Sequence, residues 1–183
     1  MNGTVELKTE RLVLRRHIAD DTEKLYELFG KDDKMHEYTG WNPYATLERA
    51  KITVESFINS YKDDEFYGWA IEYENELIGT IGAYDGADDR EFIEVGVSVA
   101  GKYWGKGFAT EAVKAVTEHL KTAGYKTIKA WCASDNIGSR RVLEKSGYIL
   151  KSTDKNALDI DGRIYDRLNF EYTDDRKTNR PKA

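Results

Sequence analysis

The segment from Gly101 to Ala112, GKYWGKGFATEA, holds three glycines and two lysines immediately before a run with helical spacing. Backbone amides at the start of a helix can bind anions, and glycine lets a phosphate approach the main chain closely. Lys102 and Lys106 would add positive charge to such a site. The alternative is a plain turn that needs glycine for its backbone angles, and composition alone leaves both readings open.

Two common nucleotide-binding patterns do not fit this segment. A P-loop that starts at Gly101 would need glycine five residues later, where Lys106 stands. The dinucleotide pattern G-x-G-x-x-G, started at Gly105, would need glycine in place of Thr110. A phosphate bound here would therefore be held in a different kind of loop, and a Rossmann-type nucleotide site is disfavoured.

The glycine segment lies inside a predicted β-α-β unit. A strand over Phe92 to Val99 precedes it, a helix follows to about Thr122 and ends at Gly124, and a second strand covers Thr127 to Ala133. The two strands should be parallel neighbours joined by a right-handed crossover. The glycine turn then falls at the carboxyl edge of the sheet, where ligands usually bind.

The remaining elements predict a mixed α/β sheet with helices on its faces. Alternation of apolar residues indicates strands over Glu10 to Arg16, Gly68 to Tyr73, Leu77 to Tyr84, Tyr148 to Ser152 and Arg163 to Glu171. Helical spacing indicates helices that end at Gly30 and that span Leu47 to Tyr61 and Ile137 to Lys145. Loops are expected over His36 to Tyr44 and Lys155 to Arg163.

Composition bounds the function classes. The 183 residues fit one domain, expected over residues 1–172, with a frayed polar tail over 173–183. The net charge of −5 argues against non-specific nucleic-acid binding. Cys132 is the only cysteine, so neither an internal disulfide nor a multi-cysteine metal site is expected, and the three histidines lack metal-ligand spacing. The sequence shows no apolar leader and no bilayer-length apolar window, which predicts a cytoplasmic protein without a membrane partner.

Two separate motifs resemble the GNAT N-acetyltransferases. KYWGKG, from Lys102 to Gly107, resembles the [Q/R]-x-x-G-x-[G/A] segment that cradles the acetyl-CoA pyrophosphate in that family, with lysine at the first position. DNIGSRRVLEKSGY, from Asp135 to Tyr148, resembles N-x-x-S-x-x-V-L-E-K-x-G-[F/Y] of the RimJ/RimL ribosomal-protein N-acetyltransferases. KTERLVLRR resembles the first strand of that branch. The resemblance covers most of residues 7–172.

The resemblance implies a GNAT fold, a central twisted mixed sheet with a splayed parallel strand pair and helices on both faces. It implies transfer of an acetyl group from acetyl-CoA to a primary amine, either a protein N-terminus or a small molecule, by direct attack in a ternary complex. Homodimers are common among similar proteins, so the resemblance also makes a homodimer one expected state of this protein. Backbone groups of Val97 and Val99 would pair with the pantetheine arm, and Asn136 would contact that arm, cap the next helix, or do both. The residues expected at the pyrophosphate are Lys102, Gly105, Lys106, Gly107, Phe108, Ala109 and Thr110.

The catalytic groups are less well defined by the resemblance. Glu94 matches a recurrent acidic position and would act as the base, a role that is needed because an amine with a pKa of about 10 is charged at neutral pH. The alternative is a strand residue that faces solvent. Ser139 matches a proposed thiolate proton donor, or it is structural. Leu143 stands where many GNAT enzymes carry a tyrosine acid. Trp41 and Tyr44 would shape the acceptor site, or they pack locally.

A different class of function remains open at this stage. A module that binds acyl-CoA without catalysis would keep the glycine segment and would not need an acid at Leu143. Release of free CoA from acetyl-CoA in the presence of a panel of amines distinguishes an enzyme from such a sensor.

Overall fold

The computed structural model describes residues 3–173. In chain order its strands and helices are β1 (Leu7–Lys8), β2 (Leu12–Arg15), α1 (Asp21–Leu25), α2 (Leu47–Ser60), β3 (Tyr67–Tyr73), β4 (Glu76–Tyr84), β5 (Phe92–Val99), α3 (Phe108–Thr122), β6 (Thr127–Ala133), α4 (Ile137–Lys145), β7 (Ile149–Ile160) and β8 (Arg163–Thr173). The predicted polar tail lies outside the described residues, apart from Thr173 at the end of β8.

The eight strands form one sheet in the order β1-β2-β3-β4-β5-β6-β8-β7. β5 and β6 pair in parallel, and the other neighbours are antiparallel. The parallel register runs only from Phe92 opposite Thr127 to Glu94 opposite Lys129. Beyond that point β5 stays paired with β4 as far as Val99, and β6 stays paired with β8. The two strands therefore part after Glu94 and leave a gap, which confirms the predicted splayed pair.

Helices cover both faces of the sheet, as predicted. Alternating strand residues explain this arrangement, because successive side chains point to opposite faces. Trp69 and Ile71 are fully buried in a core cluster with Val116 of α3. Ala70, between them, lies in a second cluster with Val54 of α2 on the other face.

The β-α-β unit has the predicted bounds, because apolar periodicity and glycine define it clearly. β5 and β6 begin and end at the predicted residues. α3 begins after Gly107, whose φ of 83° is in the left-handed region that favours glycine. Gly124, with a φ of 105°, ends the helix as expected. None of the helices within residues 3–173 is long and apolar enough to cross a bilayer.

Two segments differ from the sequence prediction. The first helix ends at Leu25 and continues as one π-helical turn to Gly30, where a Cβ would lie 2.1 Å from the Tyr44 carbonyl oxygen. The predicted loop over Lys155 to Arg163 is wrong, because residues 155–160 belong to β7. β7 is an exposed edge strand with two register shifts against β8, so its polar residues carry no apolar alternation to reveal it.

Candidate active site

The gap between β5 and β6 is lined by backbone polar groups of β5. The Ala100 amide donates to the Ile78 carbonyl at 2.9 Å, and in an antiparallel ladder such bonded pairs occur at every second residue. The intervening residues, including Val97 and Val99, therefore direct their N–H and C=O groups away from β4. They face the space that β6 has left, as the sequence analysis expected for these two valines. An extended ligand could pair with them as an added strand would.

One of these groups is already engaged. The Trp104 indole N–H donates to the Val99 carbonyl at 2.6 Å, and this Trp104 side chain is otherwise about half exposed. The bond shows directly that the Val99 carbonyl points away from β4. The Val99 amide and both backbone groups of Val97 have no facing strand within residues 3–173. They are the groups best placed to meet a ligand without movement of Trp104.

The glycine segment forms an open cleft at the start of α3. Gly105 and Gly107 have φ angles of 75° and 83°, and a Cβ on Gly105 would meet nothing within 4 Å. The first intrahelical bond runs from the Glu111 amide to the Gly107 carbonyl, so the amides before Glu111 have no acceptor inside the helix. The cleft has a volume of about 460 Å³ and is lined by Glu10, Arg11, Gly105, Lys106, Gly107, Thr110, Glu111, Lys114 and Lys145.

The other residues predicted at the pyrophosphate have different positions. Phe108 is buried in the main core and Ala109 packs against it, so only their backbone can meet a ligand. Lys102 and Lys106 place their ammonium groups over the Tyr103 ring, 4.9 Å and 5.4 Å from its centre. Lys106 also lines the cleft, whereas Lys102 does not. Free helix amides, glycine backbone and several cationic side chains suit a diphosphate.

Glu94 lies where β5 and β6 part, and it is held firmly. Its Oε1 accepts a hydrogen bond from Trp131 Nε1 at 2.8 Å, and its Oε2 accepts one from Arg167 Nη2 at 3.3 Å. The Arg167 guanidinium also stacks over the Trp131 ring at 4.7 Å. The Glu94 side chain is only 15% exposed, so it is not a freely solvated strand residue. Its carboxylate has a fixed position on the sheet face opposite α3.

Tyr84 adds a hydroxyl group to this cluster. It stands opposite Glu94 in the β4–β5 register, and a Cβ on Gly96 would lie 2.8 Å from its oxygen. The hydroxyl therefore lies directly over Gly96, and glycine is the residue that leaves room for it. Burial, and next the Glu94 carboxylate, raise the pKa of Tyr84 to about 12, so it stays protonated at neutral pH.

Sequence reasoning missed the partners of Glu94, because Tyr84, Trp131 and Arg167 lie on three different strands. The signal that was present is Gly96, an isolated glycine within the valine-rich β5. Such a glycine marks a place where another group approaches the backbone closely.

Asn136 caps α4, which confirms that part of its expected role. Its Oδ1 accepts a hydrogen bond from the Ser139 amide at 3.0 Å. Ser139 lies in the first turn of α4, and Val142 and Leu143 of that helix pack in the core with α3. Ser139 therefore lies on the sheet face opposite Glu94. Leu143 is buried at 4% exposure, so the usual tyrosine position is a core position here.

The aromatic pair predicted at the acceptor site is separated in the structure. Trp41 is 68% exposed in the loop before α2. Tyr44 is buried and packs against Phe29 with 5.6 Å between ring centres. Burial raises the pKa of Tyr44 to about 12. Tyr44 is thus part of the core beneath the loop, and only Trp41 presents its ring to solvent. Within residues 3–173, no group of three or more His, Cys, Asp or Glu side chains could hold a metal ion.

Comparisons with known proteins agree with this geometry. A family model described as "Acetyltransferase (GNAT) domain" matches residues 11–149. The uncharacterized N-acetyltransferase YoaA of Bacillus subtilis (strain 168) is 30% identical over 163 residues, which are 87% of this chain and 92% of YoaA.

Solved structures share the fold. A GNAT-family acetyltransferase from Bacillus anthracis superposes with a TM-score of 0.80 at 24% identity, covering 92% of this chain and 98% of that one. RimL, a ribosomal L7/L12 alpha-N-protein acetyltransferase solved in complex with coenzyme A, gives a TM-score of 0.85 at 19% identity, covering 93% and 99%. The chain belongs to the GNAT family of acetyltransferases.

Proposed function

We propose that this protein is an acetyl-CoA-dependent N-acetyltransferase of the RimJ/RimL-like branch that acetylates a primary amine by direct attack in a ternary complex. The observation that carries the proposal is the combination of the β5–β6 gap with the cationic, glycine-lined cleft at the start of α3. The gap suits the extended pantetheine arm, and the cleft suits the pyrophosphate. The two motifs and the similarity to RimL support the branch.

Acetyl-CoA would supply an activated acyl group as its thioester. Val97 and the Val99 amide would hold the pantetheine arm as a strand-like partner, with the Asn136 side-chain amide near its end. The backbone amides from Gly107 to Thr110 would bind the pyrophosphate, assisted by Lys106. These groups bind and orient the co-substrate, so a change in them should act mainly on its affinity.

Glu94 is the proposed general base. A primary amine is protonated at neutral pH and must lose a proton before it can attack a carbonyl carbon. The fixed Glu94 carboxylate, next to the point where the strands part, can accept that proton directly or through one water. Hydrogen bonds from Trp131 and Arg167 keep the carboxylate in place.

Ser139 is the proposed proton donor to the departing thiolate, and a proton from solvent water would restore its hydroxyl. Ser139 belongs to α4, which packs on the α3 face of the sheet, whereas Glu94 lies on the other face, so the base and the donor would act from different sides of the gap. This arrangement does not require an acid at Leu143. The acceptor would enter on the Glu94 face, with Trp41 as part of its site, and both a protein N-terminus and a small amine fit this chemistry.

A turnover assay tests the proposal. The wild-type protein is mixed with acetyl-CoA and a panel of N-terminal peptides, polyamines, amino acids and aminoglycosides, and both free CoA and acetylated products are measured. Acetylated product with matching CoA release is expected. Tight acetyl-CoA binding without product from any amine would instead favour the non-catalytic sensing module. Glu94→Gln serves as the matched control, since it should keep acetyl-CoA affinity and lose turnover.

A further inference from the structure

Thr9, Arg11 and Glu111 form a hydrogen-bonded cluster, here called the Arg11 clasp, that ties the start of the chain to the start of α3. Glu111 Oε1 accepts from the Thr9 hydroxyl at 2.6 Å and from the Arg11 amide at 2.9 Å. Glu111 Oε2 accepts from Arg11 Nε at 2.8 Å and pairs with Arg11 Nη2 at 2.7 Å. Arg11 therefore grips this carboxylate with two side-chain donors, the fork geometry that lysine lacks.

The same guanidinium also holds the glycine loop. Arg11 Nη1 donates to the Lys106 carbonyl at 3.0 Å, and the guanidinium carbon lies 4.6 Å from the centre of the Phe108 ring. In a trans peptide the carbonyl and the next amide point in opposite directions. Arg11 thus fixes the orientation of the peptide between Lys106 and Gly107, and with it the direction of the Gly107 N–H. Gly105 and Gly107 both have left-handed φ angles, but glycine adopts left-handed and right-handed angles about equally readily. Contacts from outside the loop therefore help to hold these two residues in the observed conformation.

The clasp also sets the charge of the cleft. Arg11 and Glu111 both line it, and Glu111 is in the first turn of α3. Partial burial opposes ionisation of Glu111, but hydrogen bonds from Thr9 and Arg11 hold its pKa below the usual value, so it is an anion at neutral pH. An unpaired carboxylate at this place would repel a diphosphate. The paired guanidinium offsets that charge.

We propose that Arg11 is a positioning residue for the diphosphate-binding loop, which orients the Gly107 amide and neutralises Glu111. The inference rests on the proposed acetyl-CoA binding. It goes beyond that proposal because it assigns the loop's binding conformation to a residue immediately before β2, 95 positions earlier in the chain than the Lys106 carbonyl that it holds.

Calorimetric titration with two ligands tests this role. Acetyl-CoA carries the diphosphate, and S-acetylpantetheine lacks it. For Arg11→Gln, the dissociation constant for acetyl-CoA should rise about tenfold or more, because hydrogen bonds with a charged partner are lost. Affinity for S-acetylpantetheine should stay the same. Glu111→Gln added to Arg11→Gln should recover part of the loss, since it removes the unpaired carboxylate.

Arg16→Gln is the matched control. Arg16 makes contacts of the same kind, a 2.9 Å bond from Nε to the Thr4 carbonyl and stacking over the Tyr61 ring, but does not line the cleft. It should leave acetyl-CoA affinity unchanged at a comparable unfolding midpoint. Arg11→Lys, which keeps the charge and loses the fork, should bind with intermediate affinity.

The outcomes separate the two proposals. If the wild-type protein fails to bind acetyl-CoA, the proposed function is wrong and the role of Arg11 fails with it. If the wild type binds and Arg11→Gln binds equally well, only the role of Arg11 is refuted. The role is also refuted if Arg11→Gln weakens the binding of acetyl-CoA and S-acetylpantetheine equally, or if Arg16→Gln weakens the binding of acetyl-CoA as much as Arg11→Gln does. Either result would indicate a general loss of structure rather than a specific effect on the diphosphate-binding loop.

Discussion

Substitution of Gly107 tests the phosphate-binding role of the glycine loop. Gly107 caps α3 in the left-handed region, and a Cβ there would meet its nearest atom, Arg11 Nη2, at 3.5 Å, which is ordinary contact. The left-handed φ angle, rather than this contact, destabilises any L-residue at position 107, by about 1–2 kcal/mol. A domain with a stability of about 5–15 kcal/mol survives that strain. Gly107→Ala, Gly107→Gln and Gly107→Glu should all fold.

The charge of the new side chain separates the last two variants. Gln and Glu have nearly the same size and share the backbone strain, so their difference in affinity isolates the charge. A unit charge about 4 Å from a phosphate is repelled by about 1 kcal/mol in bulk water and about 4 kcal/mol near a protein surface. Gly107→Glu should therefore bind acetyl-CoA roughly five to a thousand times more weakly than Gly107→Gln.

Titration calorimetry with acetyl-CoA measures these affinities, and the thermal unfolding midpoint checks each fold. Gly107→Ala shows how much the backbone strain alone contributes. Equal affinity of the Glu and Gln variants would refute the reasoning, because it would mean that no phosphate lies beside the α3 N-terminus. S-acetylpantetheine, which lacks the phosphates, should not distinguish the two variants.

Three further predictions concern residues of β5 and β6, the strands on either side of the gap. The Tyr84 hydroxyl lies beside the proposed base Glu94, and a Cβ added at Gly96 would lie 2.8 Å from it. Gly96→Ala should therefore displace this hydroxyl and lower kcat to the same extent as Tyr84→Phe, with little change in the unfolding midpoint. The double variant should be no slower than Tyr84→Phe, and additive losses would argue against a shared cause. Glu94→Gln should remove the rise of kcat/KM with pH that reports the general base, and an unmoved pH profile would exclude Glu94 from that role. Burial raises the pKa of Cys132 to about 11, so native protein should react with iodoacetamide at pH 7 much more slowly than unfolded protein; equal rates would contradict its burial.

The β-α-β unit could be predicted from sequence because its signals are local. Its two strands are runs of five or more residues that are mostly apolar. Its helix has apolar residues spaced three and four positions apart and a glycine at each end. All of these signals can be read without knowing which distant residues pack against the unit. The start of β7 was predicted as the strand that ends at Ser152. Its continuation to Ile160 could not be predicted, because an exposed edge strand with polar residues and a bulge has no apolar pattern. The π-helical turn that ends at Gly30 depends on a close approach to Tyr44, which no local pattern reveals.

The candidate site also contains local features that the sequence predicts and contacts between distant residues that it does not predict. The glycine loop and the cap at Asn136 are continuous in sequence and were found there. The hydrogen bonds that Glu94 accepts from Trp131 and Arg167, and those that Glu111 accepts from Thr9 and Arg11, join residues 37 to 102 positions apart, and only the fold brings them together. Tyr44 shows the converse, since an aromatic residue in a loop segment proved to be buried. Residues that hold a catalytic group in place are therefore harder to predict from sequence than the group itself.

The central claim is that the β5–β6 gap and the α3 cleft together support acetyl transfer from acetyl-CoA to an amine. The most direct measurement is mass spectrometry of an amine panel incubated with acetyl-CoA and the wild-type protein, with free CoA measured in parallel. The account predicts an amine that gains one acetyl group for each CoA released, and loss of both signals in Gly107→Glu. Binding of acetyl-CoA with no acetylated amine, or turnover unaffected by Gly107→Glu, would contradict it.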